Sequence, residues 1–518
     1  MRTHLVRRAL AAASAALVTL TLAGPAAAER FVVVLENGRH AAGLKAVEQA
    51  GGRVVSVNKV GVATAESNDP TFAGTLRISG TVAGVSRWAA WRVESPELVD
   101  AVQQVPGPVM ATGCAGQYDP PGGVGAGPDP LSVCQWDMRQ INASPTGSYA
   151  VNRGRGAAVA ILDTGVDYTH EDIAPNFDLE RSCSFIYPGN PAADPRDLET
   201  TGRACATKTA IQDYFGHGAH VAGIVGAPIN GLGVAGVAPE ATLVGLKVCT
   251  TVGYCFAQPV ADALVYAGDM GFDVANMSFY VDPWLYNCRN EPEQRAIWLS
   301  LHRAAQYATR RGVVLVSSAG NHADDLDHPT EDDTSPDFPP GMEIPREIKN
   351  RCVVAPAELP SVATISSIGP QKRLAGYSAY GSSKIDVTAP GGDAAQAPNP
   401  YGRVLNVWSA FAPPLSTALM RYVEDCQTFG GAPVCARYGW IQGTSMAAPH
   451  ASGVAALIRA ANPDLPPHAV IARLENTAMP MHCPPEDDRC TGGSGGNGKP
   501  HTSFYGAGLV DALAAGSR

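Results

Sequence analysis

With 518 residues, 45% hydrophobic content and 17% charged, the chain is long enough to bury a large core and to hold more than one folded unit. Its formal net charge of -10, with no Lys/Arg-rich block after the N-terminus, excludes nucleic acid as the main partner.

The opening stretch places Arg2, Arg7 and Arg8 ahead of a short alanine-rich apolar run that ends in Ala26, Ala27 and Ala28, the pattern of a cleaved secretory signal over residues 1–28. No later run reaches the roughly 18 apolar residues a membrane helix needs, so a soluble, exported protein with no membrane contact after signal removal is expected. Next, "RFVVVLENGRH" reads as a strand, "AAGLKAVEQAGG" as a helix closed by glycine, "RVVSVNKVGVATAES" as further strand, and Phe72 to Ile78 as a helix. These form a small α/β unit over 29–95. From Pro96 to Pro130 the chain is rich in Gly and Pro ("DPPGGVGAGPDP") and reads as a linker open to cleavage. The remainder, 131–518, alternates strand-like runs ("AAVAIL", "TLVGLKV", "FDVANMSF", "VVLVSSAGN") with helical patterns ("PVADALVYAGDM", "AIWLSLHRAAQYATRRG"), which argues for crossover units around a buried, mostly parallel sheet.

Twelve cysteines fit an oxidising destination. Cys183 and Cys205, Cys249 and Cys255, Cys426 and Cys435, and Cys483 and Cys490 are close enough in sequence to staple loops, but spacing leaves the connectivity open.

In such a sheet, chemistry gathers where strands end and helices begin. "AAVAIL" runs into "DTGVD", putting Asp163 at the carboxyl end of a buried strand, where a carboxylate needs a partner. "FGHGAHVAG" offers His217 at a helix start, and "GTSMAAPHASG" places Ser445 at another helix start, where unpaired N–H groups favour negative charge. Pro449 is expected within the first turn of that helix, where it forfeits little. "VVLVSSAGN" ends in Asn321, a donor for a developing oxyanion.

Together "ILDTGVD", "GHGAHVAG", "SSAGN" and "GTSMAAPH" resemble the signature blocks of the subtilisin-family serine proteases over about Gln135 to Ala514. The resemblance implies a three-layer α/β fold preceded by a ferredoxin-like inhibitory propeptide over 29–95. It also implies a secreted monomeric endopeptidase made as a zymogen, whose partners are protein or peptide substrates and its own propeptide. Asp163 would orient His217, His217 would act as general base, Ser445 as nucleophile and Asn321 as oxyanion donor; the order Asp, His, Ser along the chain is that of the family. No catalytic metal or organic cofactor is implied. The loop "APINGLGVAGVAP" resembles the family's calcium loop, with Asp172 and Asn230 as candidate ligands of a structural calcium, while Ser132 stands where another side-chain ligand is often found.

Two departures stand out. Ala219 replaces the usual threonine beside His217, and Phe279 and Tyr280 follow Ser278 where members of the family commonly carry glycine, so specificity is not transferred. The altered edge and an insertion from Ala394 to Val434 leave a competing reading, an inactive scaffold that acts as a secreted binding protein. His170, His220 and Asp167 read as structural, and "NMS" at Asn276 matches a glycosylation acceptor only formally, since it falls on a strand expected to be buried.

Overall fold

The computed structural model describes residues 28–88, 127, 129–199, 205–396, 406–412, 422–429, 432–495 and 498–517. The signal segment up to Ala27, nearly all of the Gly/Pro-rich linker and the tip of the 394–434 insertion lie outside the described residues.

The N-terminal unit runs β1 (Glu29–Leu35), α1 (His40–Gln49), β2 (Arg53–Val57), β3 (Val62–Ser67), α2 (Phe72–Arg77) and β4 (Val82–Arg87). Its antiparallel sheet has the order β2-β3-β1-β4, the ferredoxin-like arrangement expected. Phe31, Val33 and Leu35 on β1 pack with Phe72 and Leu76 of α2 into a core of their own.

The larger unit is built on seven strands, β5 (Ala158–Asp163), β6 (Cys183–Ser184), β7 (Thr242–Lys247), β8 (Val274–Met277), β9 (Val314–Ser318), β10 (Val362–Ile368) and β11 (Val387–Pro390). They pair in parallel in the order β11-β10-β9-β8-β5-β7-β6. Such a sheet reads as continuous apolar runs because helices cover both faces. On β5, Val159 and Ile161 face one core with α3 (His217–Gly226) and α6 (Thr444–Ala461), while Ala160 and Leu162 face another with α4 (Ala257–Met270) and α5 (Pro292–Arg310). From β5 the chain fills one flank of the sheet with β7 and β6 and the other with β8 to β11, so a crevice opens at the carboxyl ends of β5 and β8.

The N-terminal unit lies on α4 and α5. Asn58 Nδ2 donates to Asp262 Oδ1 at 2.8 Å, Lys59 pairs with Asp269 at 2.6 Å and Arg77 with Glu293 at 2.8 Å. Gly84 lets β4 touch the helix, since a Cβ there would stand 2.9 Å from the Ala296 Cβ. Disulfides join Cys183 to Cys205, Cys249 to Cys255 and Cys483 to Cys490, and a fourth, Cys288 to Cys352, spans 64 residues that sequence proximity did not suggest. In the insertion, Tyr422–Phe429 pairs antiparallel with Ala432–Ile441, setting Cys426 opposite Cys435, and the second strand runs on towards Ser445.

Candidate active site

Asp163 closes β5 with its side chain only 2% exposed, and its Oδ1 accepts the Nδ1 proton of His217 at 2.8 Å. His217 is the first residue of α3, and the glycines on either side of it have separate reasons. Gly216 adopts φ +100°, and a Cβ on Gly218 would sit 2.0 Å from the Gly165 carbonyl oxygen. Burial alone would lower the imidazole pKa, but the charge and hydrogen bond of Asp163 outweigh it, so His217 is raised above its ordinary value.

A supporting shell went unnoticed in the sequence. Asp213 is fully buried; its Oδ1 accepts from the Phe215 and Gly216 N–H groups at 2.9 Å each and from Thr164 Oγ1 at 3.0 Å, and its Oδ2 accepts from Ala219 N–H at 2.8 Å. Thr164 Oγ1 in turn accepts from Gly218 N–H at 3.0 Å, so the turn carrying His217 is tied to the residue after Asp163. Burial pushes Asp213 up to about 6 against those backbone donors. The only signal in sequence was a carboxylate four residues before His217. Ala219 is fully buried in the core.

Ser445 is the second residue of α6, behind the Gly443 N-cap. Pro449 is the sixth residue and so lies beyond the first turn, contrary to expectation. Lacking an N–H, it leaves the Ser445 carbonyl without its helical donor. Ser278, just past β8, fills the gap: its Oγ donates to Ser445 O at 2.9 Å, while Ser445 Oγ donates to Ser278 O at 3.0 Å. The apparent helix fault thus ties the serine to the edge of the crevice.

Asn321 lies three residues beyond β9 and is exposed. Its Oδ1 accepts from Thr444 N–H at 2.9 Å and Thr444 Oγ1 at 2.8 Å, which fixes the orientation of the amide. Ser278, Asn321, Thr444 and Ser445 line one cleft of 310 Å³. A buried carboxylate holding an imidazole, a hydroxyl at a helix N-terminus and an anchored amide donor are the parts an acyl-transfer site requires.

Other residues fall as read. His220 is fully buried with Nε2 donating to backbone carbonyl oxygen (Val407 at 3.1 Å), and His170 Nε2 donates to Arg437 O at 2.8 Å. Asp167 accepts from Thr169 within its own loop. Asn276 is fully buried between Ser278 and Ser452, out of reach of glycosylation in the folded chain.

Asp172 and Asn230 do meet, but as partners of each other. Asn230 Nδ2 donates to Asp172 Oδ1 at 3.0 Å, Val234 N–H donates to Oδ2 at 2.9 Å, and Asn230 Oδ1 accepts from Leu232 N–H at 2.8 Å. Asp129, which the sequence reading did not select, accepts from Gly231 N–H at 2.7 Å and is pushed up to about 6 by burial. Ser132 Oγ donates to Gly127 O at 2.6 Å. The one unengaged carboxylate oxygen here, Asp129 Oδ2, does not meet calcium's need for six to eight oxygens, so the arrangement does not fit the ion. Among the described residues no group of three or more His, Cys, Asp or Glu is placed to hold a metal.

The family model described as the subtilase family matches residues 154–508. M-protease of Shouchella clausii (strain KSM-K16) is 28% identical over 380 residues, covering 73% of this chain and 69% of that protein. Subtilisin Savinase of Lederbergia lenta is 28% identical over 380 residues, covering 73% and 97% respectively. Among solved structures, the epidermin leader peptide processing serine protease of Staphylococcus aureus shares the fold with a TM-score of 0.63 at 21% identity, over 94% of this chain and 98% of that one. Fervidolysin from Fervidobacterium pennivorans shares it with a TM-score of 0.59 at 23% identity, over 95% and 61%.

Proposed function

Since the chain belongs to the subtilase family of serine peptidases, we propose that it is a secreted endopeptidase made as a zymogen, in which Ser445 attacks the scissile carbonyl of a protein substrate. His217 takes the hydroxyl proton and returns it to the leaving amine, and Asp163 holds the ring in the tautomer that presents Nε2. Asn321 Nδ2 and the Ser445 N–H receive the oxyanion. The observation that carries the reading is the 2.8 Å Asp163–His217 bond at the end of β5, beside the strand whose following residue, Ser278, is bonded both ways to Ser445. For attack, the Ser445 hydroxyl must leave Ser278 O and give its proton to His217.

Residues 29–95 act as the inhibitory propeptide, 96–130 as the region of maturation and 131–518 as the catalytic domain. Export is supported by the signal-like N-terminus and the disulfides; among the described residues no helix is long and apolar enough to cross a membrane. An inactive scaffold is not favoured, because every catalytic position carries a competent side chain.

The test is labelling by a fluorophosphonate followed by peptide mapping, together with hydrolysis of casein. The reading expects one adduct on Ser445 and casein cleavage that the adduct abolishes; no adduct and no cleavage would overturn it.

A further inference from the structure

Tyr254, Phe279 and Tyr280 give the cleft beside Ser445 aromatic walls, Asp282 and Asp337 supply carboxylates, His322 adds an imidazole, and among the described residues no Lys or Arg lines it. It reaches from Ser278 on one side to Gly320 and Asn321 on the other, so it receives the side chain of the residue whose carbonyl lies between Ser445 and Asn321.

Asp337 is held for binding rather than buried for packing. Its Oδ2 accepts the Tyr280 hydroxyl, and the Asp282 carboxyl lies within hydrogen-bond reach of Asp337; no N–H or hydroxyl of the described residues reaches its Oδ1. Such an oxygen is costly to leave without a donor. Asp282, only 6% exposed, accepts from Cys255 N–H. Burial, and after it the negative charge of Asp337 and a hydrogen bond to it, drives the Asp282 carboxyl well above its ordinary range.

We propose that this cleft selects a cationic side chain, lysine or arginine, in the residue whose carbonyl Ser445 attacks, with Asp337 as its counter-charge and the rings of Tyr254 and Tyr280 beside it. The inference rests on Ser445 being the nucleophile. Tyr280, which stands where glycine is common in the family, is then a working part of the pocket: its hydroxyl holds the Asp337 carboxylate at the cleft wall.

The chain's own sequence supplies a natural substrate of this chemistry. Between Trp88 and Leu131 it contains a single basic residue, Arg92, so this chemistry places self-cleavage at the end of the 29–95 unit, just ahead of 96–130. Trp88 stacks on Phe256 with ring centroids 6.3 Å apart, and the neighbours of Phe256, Tyr254 and Cys255, line the cleft. Arg92 follows that docked ring by four positions in sequence.

The experiment measures kcat/KM on tetrapeptide anilides that differ only in the residue before the scissile bond (Arg, Lys, Leu, Phe and Gln), with active enzyme counted by fluorophosphonate titration. The proposal expects Arg and Lys to exceed Leu and Phe by about tenfold or more. It expects Asp337→Asn to cut the Arg-to-Leu ratio by a similar factor, and benzamidine to compete with the Arg substrate. Because benzamidine needs no variant, a poorly folding Asp337→Asn would still leave a decision. The second readout is self-processing: Arg92→Ala should slow it. A titratable enzyme that prefers Leu or Phe, or that ignores benzamidine and processes Arg92→Ala at the native rate, would overturn the proposal alone. An enzyme that the fluorophosphonate does not label would overturn the underlying reading, and the proposal with it.

Discussion

Thr444 offers the sharpest test of how the oxyanion donor is held. Thr444→Val keeps the shape and the N–H bond to Asn321 Oδ1 but removes the 2.8 Å bond from Oγ1, and with it the 3.2 Å bond from Gly320 N–H to that hydroxyl. One neutral hydrogen bond is worth about 1 kcal/mol net, so the looser Asn321 amide should lower kcat about fivefold with KM little changed. Losing both bonds should also lower unfolding stability by about 1–3 kcal/mol, read as a shift of the urea midpoint. Asn321→Ala alone should cost about 100- to 1000-fold in kcat. The decisive measurement is the cycle: in the Asn321→Ala background, Thr444→Val should cost less than about twofold further in kcat, because the group it positions is gone. The same fivefold loss in both backgrounds, or a loss confined to KM, would refute the reasoning.

His217 lies above its ordinary 6.5 because Asp163 outweighs burial, and the neutral ring is the base, so kcat/KM should fall as pH drops through a value above 6.5; a limb below that value would contradict the pairing. Stability runs the other way: the charged His217–Asp163 pair contributes fully below 6.5 and its contribution is lost as pH rises through the folded value, which melting curves of Ser445→Ala should show. Ser278→Ala removes the donor to Ser445 O and the partner of Asn276 Nδ2, and should cost about 1–3 kcal/mol; adding Pro449→Ala returns a backbone N–H to that carbonyl and should recover part of it, whereas no recovery would mean the proline plays no part. Because Asp172 and Asn230 satisfy each other, chelation by EDTA should leave Tm unchanged within about a degree, and a fall of several degrees would show that an ion is held there.

Much of this was legible in the chain because parallel sheets announce themselves. Both faces of β5 are covered, so "AAVAIL" is apolar throughout, and the residue that ends it emerges at the crevice. The N-terminal unit was legible as a small α/β unit from short strands and helices punctuated by glycine, and its ferredoxin-like order came from the family resemblance. What stayed hidden depends on contacts distant in sequence. Asp213 looked like any loop carboxylate until the fold set its oxygens against the His217 turn. The role of Pro449 could not be read, because it is decided by Ser278, 171 positions earlier, offering a hydroxyl to the carbonyl that the proline orphans. Cys288 and Cys352 are joined by the pairing of two short strands, which proximity in sequence cannot reveal. Asp337 lay in an acidic loop that reads as a solvated surface, and only its placement beside Tyr280 and Asp282 gives it a use.

The central claim, that Ser445 hydrolyses peptide bonds and first of all its own, is tested most directly by the mass of the purified protein beside its Ser445→Ala variant, each produced without added protease. The account predicts that the native chain loses its N-terminal unit while the variant keeps it. Both chains remaining full length, with casein left intact by the native protein, would contradict it.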